Sequence, residues 1–160
     1  MSGERNRALV RRFWEGLVST GDLELADELL ARGFIVHYAG NPPMDRDGFL
    51  RFLGALRVAF PDVRASVEDL LAERDEVAVR WSWHGTQRGS FMGIPATGKP
   101  VTGSGVGIFR IADGRIVEDF VQEDTLGLMQ QLGAIPAPGQ HDGEGGAVWP
   151  EQTRIETASG

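Results

Sequence analysis

A carboxylate near the end of the chain is the first residue whose type and surroundings suggest chemistry. Asp119 stands between Val117 and Val121 in residues 115–123, whose side chains alternate like those of a strand. Because side chains of a strand alternate between its faces, Asp119 would share a face with the two valines. Apolar neighbours desolvate a carboxylate, and the resulting rise in its pKa makes it a better base near neutral pH. The pattern by itself favours the alternative, in which Asp119 faces solvent and Phe120 faces the core.

A histidine is the second candidate for chemistry. His37 follows residues 34–36, an apolar run that predicts a short strand. A histidine there could polarise a carbonyl group or relay a proton, because its pKa lies near neutrality. A lone histidine is more often structural, so both interpretations stay open. The chain has no His-x-His or His-Glu-x-x-His spacing, and we therefore expect no bound metal.

Three glycines alternate along the predicted strand at residues 101–111. Gly103, Gly105 and Gly107 share one face of this strand with Phe109. Glycine weakens a strand, so three of them on one face require a reason. Either they leave room for a flat ligand over the sheet, or they allow a helix to pack closely or the sheet to bend.

Aromatic side chains on two predicted helices and one further predicted strand would supply the apolar walls of a pocket. Apolar residues recur every three or four positions over residues 4–18, which predicts an amphipathic helix. Residues 77–84 alternate between apolar and polar types, which predicts a strand. The candidate wall residues are Trp14, Phe49, Phe52, Trp81 and Trp83.

The remaining pattern predicts where the other helices and strands begin and end. Asp22 and Asp45 are predicted N-caps of a second and a third helix, which Gly33 and Pro61 are predicted to end. Further strands are predicted at residues 34–38, from residue 63 and at residues 115–123, before a helix at residues 125–132. Helices followed by an antiparallel sheet indicate an α+β domain, in which three helices cover one face of a bent sheet and leave a pocket between the layers.

The composition excludes several classes of protein. The 160 residues are 41% hydrophobic and 24% charged, as in one globular domain, and the absence of cysteine excludes disulfides and a cysteine nucleophile. The net charge of −7 argues against a nucleic-acid partner, and no apolar run reaches the roughly 20 residues that span a membrane. We expect a cytoplasmic protein with no membrane association. Its domain would cover residues 1–135, and residues 136–160 would form a flexible Gly/Pro-rich tail.

The second face of the predicted sheet is apolar enough to suggest a second copy of the chain. Val106, Ile108, Ile116 and Phe120 fall on the face opposite Asp119 if the strands alternate regularly. Such a patch is unusual on a monomer, and no predicted helix is left to cover it. We therefore expect a homodimer joined through this outer face. The alternative is that the tail folds back over the sheet.

Four segments closely resemble the SnoaL-like polyketide cyclases, also called ester cyclases, of the nuclear-transport-factor-2-like superfamily. They are AFPD at 59–62, GTQRGSFMGIPATG at 85–98, FRIADGRIVE at 109–118 and DTLGLMQQLG at 124–133. The resemblance covers roughly residues 4–133. Gln87 stands where the family pattern usually has histidine.

The resemblance implies a cone-shaped α+β barrel, with helices packed on a curved antiparallel sheet around a deep apolar pocket. It also implies a cofactor-independent cyclase or isomerase that acts on a polyketide-like small molecule. Asp119 would be the acid/base residue, and His37 would orient or polarise the substrate. The residues then expected to contact the substrate are Trp14, Phe49, Phe52, Trp81, Trp83, Gly105, Gly107, Phe109, Val121 and Glu123.

Two other functions stay open on this fold. An epoxide hydrolase or dehydratase would use Asp119 to activate water or to assist the loss of hydroxide. A non-catalytic protein would only hold a small apolar ligand in its pocket. A carboxylate with a raised pKa at the floor of the pocket would favour an enzyme, whereas a wholly apolar pocket would favour binding alone.

Overall fold

Four α-helices and six β-strands make up the chain in the computed structural model, which describes residues 2–137. The predicted tail, residues 136–160, lies outside the described residues except for its first two positions. The helices are α1 (Ser2–Arg11), α2 (Leu23–Leu29), α3 (Arg46–Ala59) and α4 (Thr125–Gln131). The strands are β1 (Leu30–Tyr38), β2 (Met44–Asp45), β3 (Arg64–Glu73), β4 (Glu76–Thr86), β5 (Pro100–Ala112) and β6 (Arg115–Glu123).

The helix boundaries follow from capping side chains. Asp22 accepts hydrogen bonds from the backbone N–H groups of Glu24 and Leu25 at the start of α2, and Asp45 caps α3 in the same way. Both predicted N-caps are confirmed. The prediction that Gly33 ends α2 is wrong, because the helix ends at Leu29 and β1 begins at the next residue.

The first helix changes its winding before it ends. Residues Arg12–Val18 continue α1 as a π-helical segment, in which the hydrogen bonds span five residues instead of four. Two adjacent side chains of this segment, Phe13 and Trp14, are both buried, together with Leu17 and Val18. The π-helical segment therefore buries four side chains that the sequence also placed on the apolar face of its predicted helix.

The sheet is mixed, and its strands lie in the order β2-β1-β6-β5-β4-β3. β1 runs parallel to β6, whereas the remaining neighbours are antiparallel. The α+β class and the curvature of the sheet are confirmed, but the sheet stays unclosed, with β2 and β3 at its edges. The sheet differs from the expected antiparallel one in a single pairing, because β1, which precedes α3, lies beside β6 in the same direction.

A bulge in β6 decides which of its side chains face the helices. Arg110 pairs with Glu118, but its neighbour Ile111 pairs with Ile116, so Val117 has no partner on β5. Ile116 is consequently fully buried and shares the inner face with Asp119. The prediction that Ile116 lies on the outer face is therefore wrong, since regular alternation fails at the bulge.

The core lies between the helices and the inner face of the sheet. Phe13 stacks on Phe49 of α3 with ring centroids 5.6 Å apart and meets Phe109 of β5 edge-on at 5.0 Å. Burial of each large apolar side chain contributes about 1.5–3 kcal/mol, so this contact fixes α1 and α3 over the middle of the sheet. Within residues 2–137, no helix is both long enough and apolar enough to cross a membrane.

Candidate active site

A narrow pocket lies between the helices and the inner face of the sheet, with a volume of about 30 Å³. Seven of the predicted site residues line it: Trp14, Phe49, Phe52, Trp81, Trp83, Asp119 and Glu123. Its other lining residues are Phe13, Val18, Tyr38, Leu53, Leu56 and Phe91. Tyr38, Phe52 and Glu123 are the lining residues that keep partial exposure to solvent, so the pocket opens on their side.

Asp119 lies deep in this pocket. Its side chain is 1% exposed, and its Oδ1 atom has no hydrogen-bond partner among the residues described. Burial raises the pKa of Asp119 well above the usual value, because the charged carboxylate loses its hydration. The site therefore holds an aspartate that keeps its proton to a higher pH than an ordinary carboxyl group does. It faces the core, the orientation that the sequence pattern by itself disfavoured.

Two further ionisable residues line the pocket near its mouth. Burial raises the pKa of Glu123, while its Oε1 accepts a hydrogen bond of 3.1 Å from Nε1 of Trp83. Burial, together with the negative charges of Glu123 and Asp119, raises the pKa of Tyr38. Sequence reasoning missed Tyr38, although the alternation of Phe34, Val36 and Tyr38 on β1 could have placed it on the inner face.

The glycines of β5 make room for indole rings. Trp83 lies opposite Gly103 and Trp81 lies opposite Gly105 in the β4–β5 pairing. A Cβ atom at Gly105 would lie 2.9 Å from Cε2 of Trp81 and 2.5 Å from the carbonyl oxygen of Gln122, and one at Gly103 would lie 2.8 Å from Cζ2 of Trp83. From the sequence, these glycines were expected to leave room for a flat ligand or a closely packed helix. In the structure, the two tryptophans of the adjacent strand fill that space.

Gly107 has a separate part in the site. A Cβ atom there would lie 3.3 Å from Oδ1 of Asp119, so the glycine leaves space beside the carboxylate. Four predicted contact residues, Gly105, Gly107, Phe109 and Val121, do not line the pocket themselves. Phe109 and Val121 are buried on the inner face of the sheet without reaching the pocket.

The indole N–H groups of the pocket differ in their partners. Trp14 and Trp81 stack with ring centroids 4.2 Å apart and an interplanar angle of 20°. The Nε1 atoms of both are buried and have no hydrogen-bond partner among the described residues. Trp83, by contrast, donates to Glu123.

A loop between β4 and β5 supplies one wall of the pocket. Gln87 is fully buried, and its Oε1 accepts hydrogen bonds from the backbone N–H and the hydroxyl of Thr97, at 3.1 and 2.7 Å. Its Nε2 donates to the carbonyl oxygen of Ile94. These bonds close the loop. Phe91 of the loop lines the pocket and packs edge-on against Phe60, with ring centroids 5.2 Å apart.

His37 lies on the opposite face of the sheet from Asp119. Its Nε2 is 3.0 Å from Oε2 of Glu118, and its ring stacks on Phe120 with centroids 4.5 Å apart. His37 does not line the pocket. Contrary to expectation, it therefore does not lie where it could polarise a substrate bound there. The reason is strand parity, since the adjacent Val36 and Tyr38 face inward.

Across residues 2–137, no group of three or more histidine, aspartate or glutamate side chains is arranged to hold a metal ion. The side chains that line the pocket can transfer a proton through Asp119 and form hydrogen bonds through indole, phenol and carboxyl groups.

Comparison with known proteins places these features in one family. The model of the SnoaL-like polyketide cyclases matches residues 8–132. Aklanonic acid methyl ester cyclase DnrD of Streptomyces peucetius is 30% identical over 132 residues, which are 78% of this chain and 88% of that protein.

Solved structures give the same fold. IdmH of Streptomyces antibioticus superposes with a TM-score of 0.71 at 34% identity, over 80% of this chain and 98% of that one. A candidate SnoaL-like polyketide cyclase from Jannaschia sp. CCS1 superposes with a TM-score of 0.75 at 27% identity, over 84% and 95% of the two chains.

Proposed function

The chain belongs to the SnoaL-like polyketide cyclase family, a family of enzymes, and from this premise we propose that it closes a ring in a polyketide substrate by acid/base catalysis through Asp119. The observation that carries the proposal is the position of this aspartate. It is buried, it has no hydrogen-bond partner for Oδ1, and it lies on an apolar pocket. A carboxyl group with these properties suits proton transfer and has no structural task in the fold.

The reaction is an intramolecular aldol addition. The Asp119 carboxylate removes a proton from a carbon atom flanked by two carbonyl groups, and the C–H electron pair delocalises into an enolate. The enolate carbon attacks another carbonyl carbon of the same molecule, so that a C–C bond forms and the C=O π bond becomes an alkoxide. The alkoxide takes the proton back from Asp119, which leaves the enzyme unchanged and the substrate isomerised.

Substrate entry requires the pocket to widen. Its volume of about 30 Å³ is far below that of sites for drug-sized ligands, which is about 300–1,000 Å³. The rings of Tyr38 and Phe52 lie 5.4 Å apart at the open side, and Phe91 lies on a loop rather than on a helix or strand. We propose that movement of Phe52 on α3 and of the β4–β5 loop admits the substrate.

The test uses a substrate of the characterised relative. Because DnrD is an aklanonic acid methyl ester cyclase, aklanonic acid methyl ester is the first compound to offer to the purified protein. Ring closure leaves the mass of the substrate unchanged but alters its chromatographic retention. Asp119→Asn is expected to lower kcat by about 10²–10⁴-fold, the usual contribution of a general base.

Glu118→Gln is the matched control for this substitution. Glu118 is the preceding carboxylate of the same strand, but it bonds to His37 and Arg110 outside the pocket. We expect this variant to keep the kcat of the wild type. Equal activity of Asp119→Asn and the wild type would contradict the acid/base assignment.

We also propose that the protein is a homodimer joined through the outer face of its sheet. Val106, Ile108 and Phe120 on this face are 50%, 46% and 42% exposed. Ile35 of the neighbouring β1 is exposed as well. A twofold partner that buries the same patch would remove these side chains from water.

A further inference from the structure

Buried polar atoms without partners are concentrated in the pocket. Among residues 2–137, four buried side-chain nitrogen or oxygen atoms have no hydrogen-bond partner. Three of them belong to residues that line the pocket, namely Nε1 of Trp14, Nε1 of Trp81 and Oδ1 of Asp119. The fourth, Nε of Arg46, belongs to a residue that does not line it.

Such atoms are costly to a folded protein. Most buried polar side-chain atoms have a partner, because a buried donor that loses water without gaining an acceptor destabilises the fold. Trp14 and Trp81 are 4% and 1% exposed, so bulk solvent does not supply the acceptor. Two unpartnered N–H donors in one pocket therefore point to a ligand that brings an acceptor with it.

We propose that the indole N–H groups of Trp14 and Trp81 bind the oxygen of the substrate that becomes negatively charged when Asp119 removes a proton. This inference rests on the proposed function. It assigns to the two tryptophans a hydrogen-bonding part in the reaction, in addition to forming the pocket wall.

The geometry of the stack supports a shared ligand. The two rings stack with centroids 4.2 Å apart, and both line the pocket that holds Asp119, so a ligand in this pocket would lie beside both indoles. An indole N–H can donate but cannot accept, so its partner must be an oxygen or another acceptor. Preformed donors of this kind stabilise a developing oxyanion without reorganising during the reaction.

Proton transfer to Asp119 moves one negative charge from the carboxylate to the substrate and leaves the net charge of the site unchanged. Once Asp119 holds the proton, it is neutral, and the negative charge lies on the substrate oxygen. No lysine or arginine lines the pocket to neutralise that charge. The N–H groups of Trp14 and Trp81, together with the hydroxyl of Tyr38, are then lining groups that can donate to it, whereas the N–H of Trp83 already bonds to Glu123.

Cyclohexane-1,3-dione is a suitable probe, because it is small and ionises readily to a delocalised enolate. Protein carrying ¹⁵N-labelled indole is titrated with this compound and followed by NMR. We expect the indole N–H resonances of Trp14 and Trp81 to move downfield on binding, whereas the resonance of Trp83 stays within its bonded range. Binding that leaves the Trp14 and Trp81 resonances unchanged, or no binding at millimolar concentration, would overturn the inference.

Replacing one indole at a time with 3-benzothienylalanine separates hydrogen bonding from shape, because sulfur takes the place of N–H in a ring of nearly the same size. At position 14 or 81 we expect the free protein to become more stable, while the affinity for the probe falls about 5–10-fold for each lost hydrogen bond. At position 83 the same replacement should lower the melting temperature, because Glu123 loses its donor. A purely structural role for Trp14 and Trp81 predicts no loss of affinity, and this result would refute the proposal.

The outcomes also separate this inference from the proposed function. A protein that binds the enolate through the two N–H groups but closes no ring would contradict the cyclase proposal and support the binding site. Ring closure with unchanged kcat in the proteins altered at positions 14 and 81 would support the cyclase and overturn the inference.

Discussion

Gln87 and Asp119 are the fully buried residues with polar or charged side chains in residues 2–137. Gln87 uses both ends of its amide to close a loop, whereas Oδ1 of Asp119 has no partner. Gln87 therefore stabilises the fold, whereas the unpartnered carboxyl of Asp119 destabilises it. Destabilising residues of this kind are typical of sites where the residue acts on a ligand.

The raised pKa of Asp119 predicts how stability depends on pH. The folded protein holds the proton of this carboxyl over a range in which the unfolded chain has released it. The stability that the neutral carboxyl contributes is therefore complete below the ordinary carboxyl pKa of about 3.9 and is lost as the pH rises through the higher folded value. Asp119→Asn should raise Tm by a few degrees at pH 7–8, since about 1 kcal/mol corresponds to about 2–4 °C in a domain of this size, and by less near pH 4.

Asp113→Asn is the control in this measurement. Asp113 is an exposed turn residue with a φ of 50°, a conformation that asparagine also tolerates. Its Tm relative to the wild type should show no such dependence on pH. A Tm difference for Asp119→Asn that is constant from pH 4 to 8 would mean that the carboxyl has an ordinary pKa in the folded state.

At the scale of elements, β4 and β5 fit together because large rings on one strand face glycines on the other. Gly105→Ala would force its methyl group against the indole of Trp81 and the backbone of Gln122, neither of which can move away cheaply. We expect a loss of about 3 kcal/mol, at the upper end for overpacking, measured by denaturant unfolding. The displaced ring would also separate from Trp14, so activity should fall together with stability.

Gly54→Ala tests the opposite case. Gly54 lies inside α3 with no atom within 4 Å of the position of an added Cβ. Alanine there should stabilise the protein by about 1 kcal/mol, because it favours the helical backbone more than glycine does. Similar effects of both substitutions would show that β5 adapts to the added methyl group.

The β4–β5 loop depends on one buried amide. Gln87→Ala would leave the hydroxyl and N–H of Thr97 and the carbonyl of Ile94 without this partner. We expect a loss of about 1–3 kcal/mol and faster hydrogen exchange at the amide of Gly98, which donates to the backbone of residue 87. Thr97→Val removes the hydroxyl that donates to Gln87 and accepts from the N–H of Lys99, but it keeps the backbone bond of residue 97 and the bond to Ile94, so it should give a smaller effect. Equal exchange in all three proteins would contradict this role of Gln87.

At the scale of the whole molecule, the sheet has helices on its inner face and exposed apolar side chains on its outer face. If the proposed dimer forms through that face, light scattering at micromolar concentration should give twice the mass of one chain. Phe120→Glu should dissociate the dimer, because it would bury a charge in the contact. Val58→Glu changes an equally apolar residue that is 73% exposed on α3, and should leave the dimer intact. A single-chain mass for the wild type would refute the dimer.

The sequence by itself determined the features that depend on local patterns. Three- and four-residue spacing located the helices, and alternation located the long strands, because a side chain's face follows from its position in the element. Asp22 and Asp45 were predictable as N-caps, because a side-chain oxygen bonds to the backbone only a few residues away. Family motifs identified the fold, and alternation put Asp119 and Val121 on one face of β6, although the pattern by itself favoured solvent rather than the core for that face.

The tertiary structure decided what depends on pairing between distant segments. The bulge at Val117 moved Ile116 to the inner face, and the parallel pairing of β1 with β6 made the sheet mixed. The register of β4 against β5 placed the tryptophans over the glycines, which no pattern within a single strand can show. Register and pairing are set by contacts between residues far apart in the chain. Local periodicity could therefore suggest candidate site residues. Which of these residues contact one another could be seen only in the assembled sheet and helices.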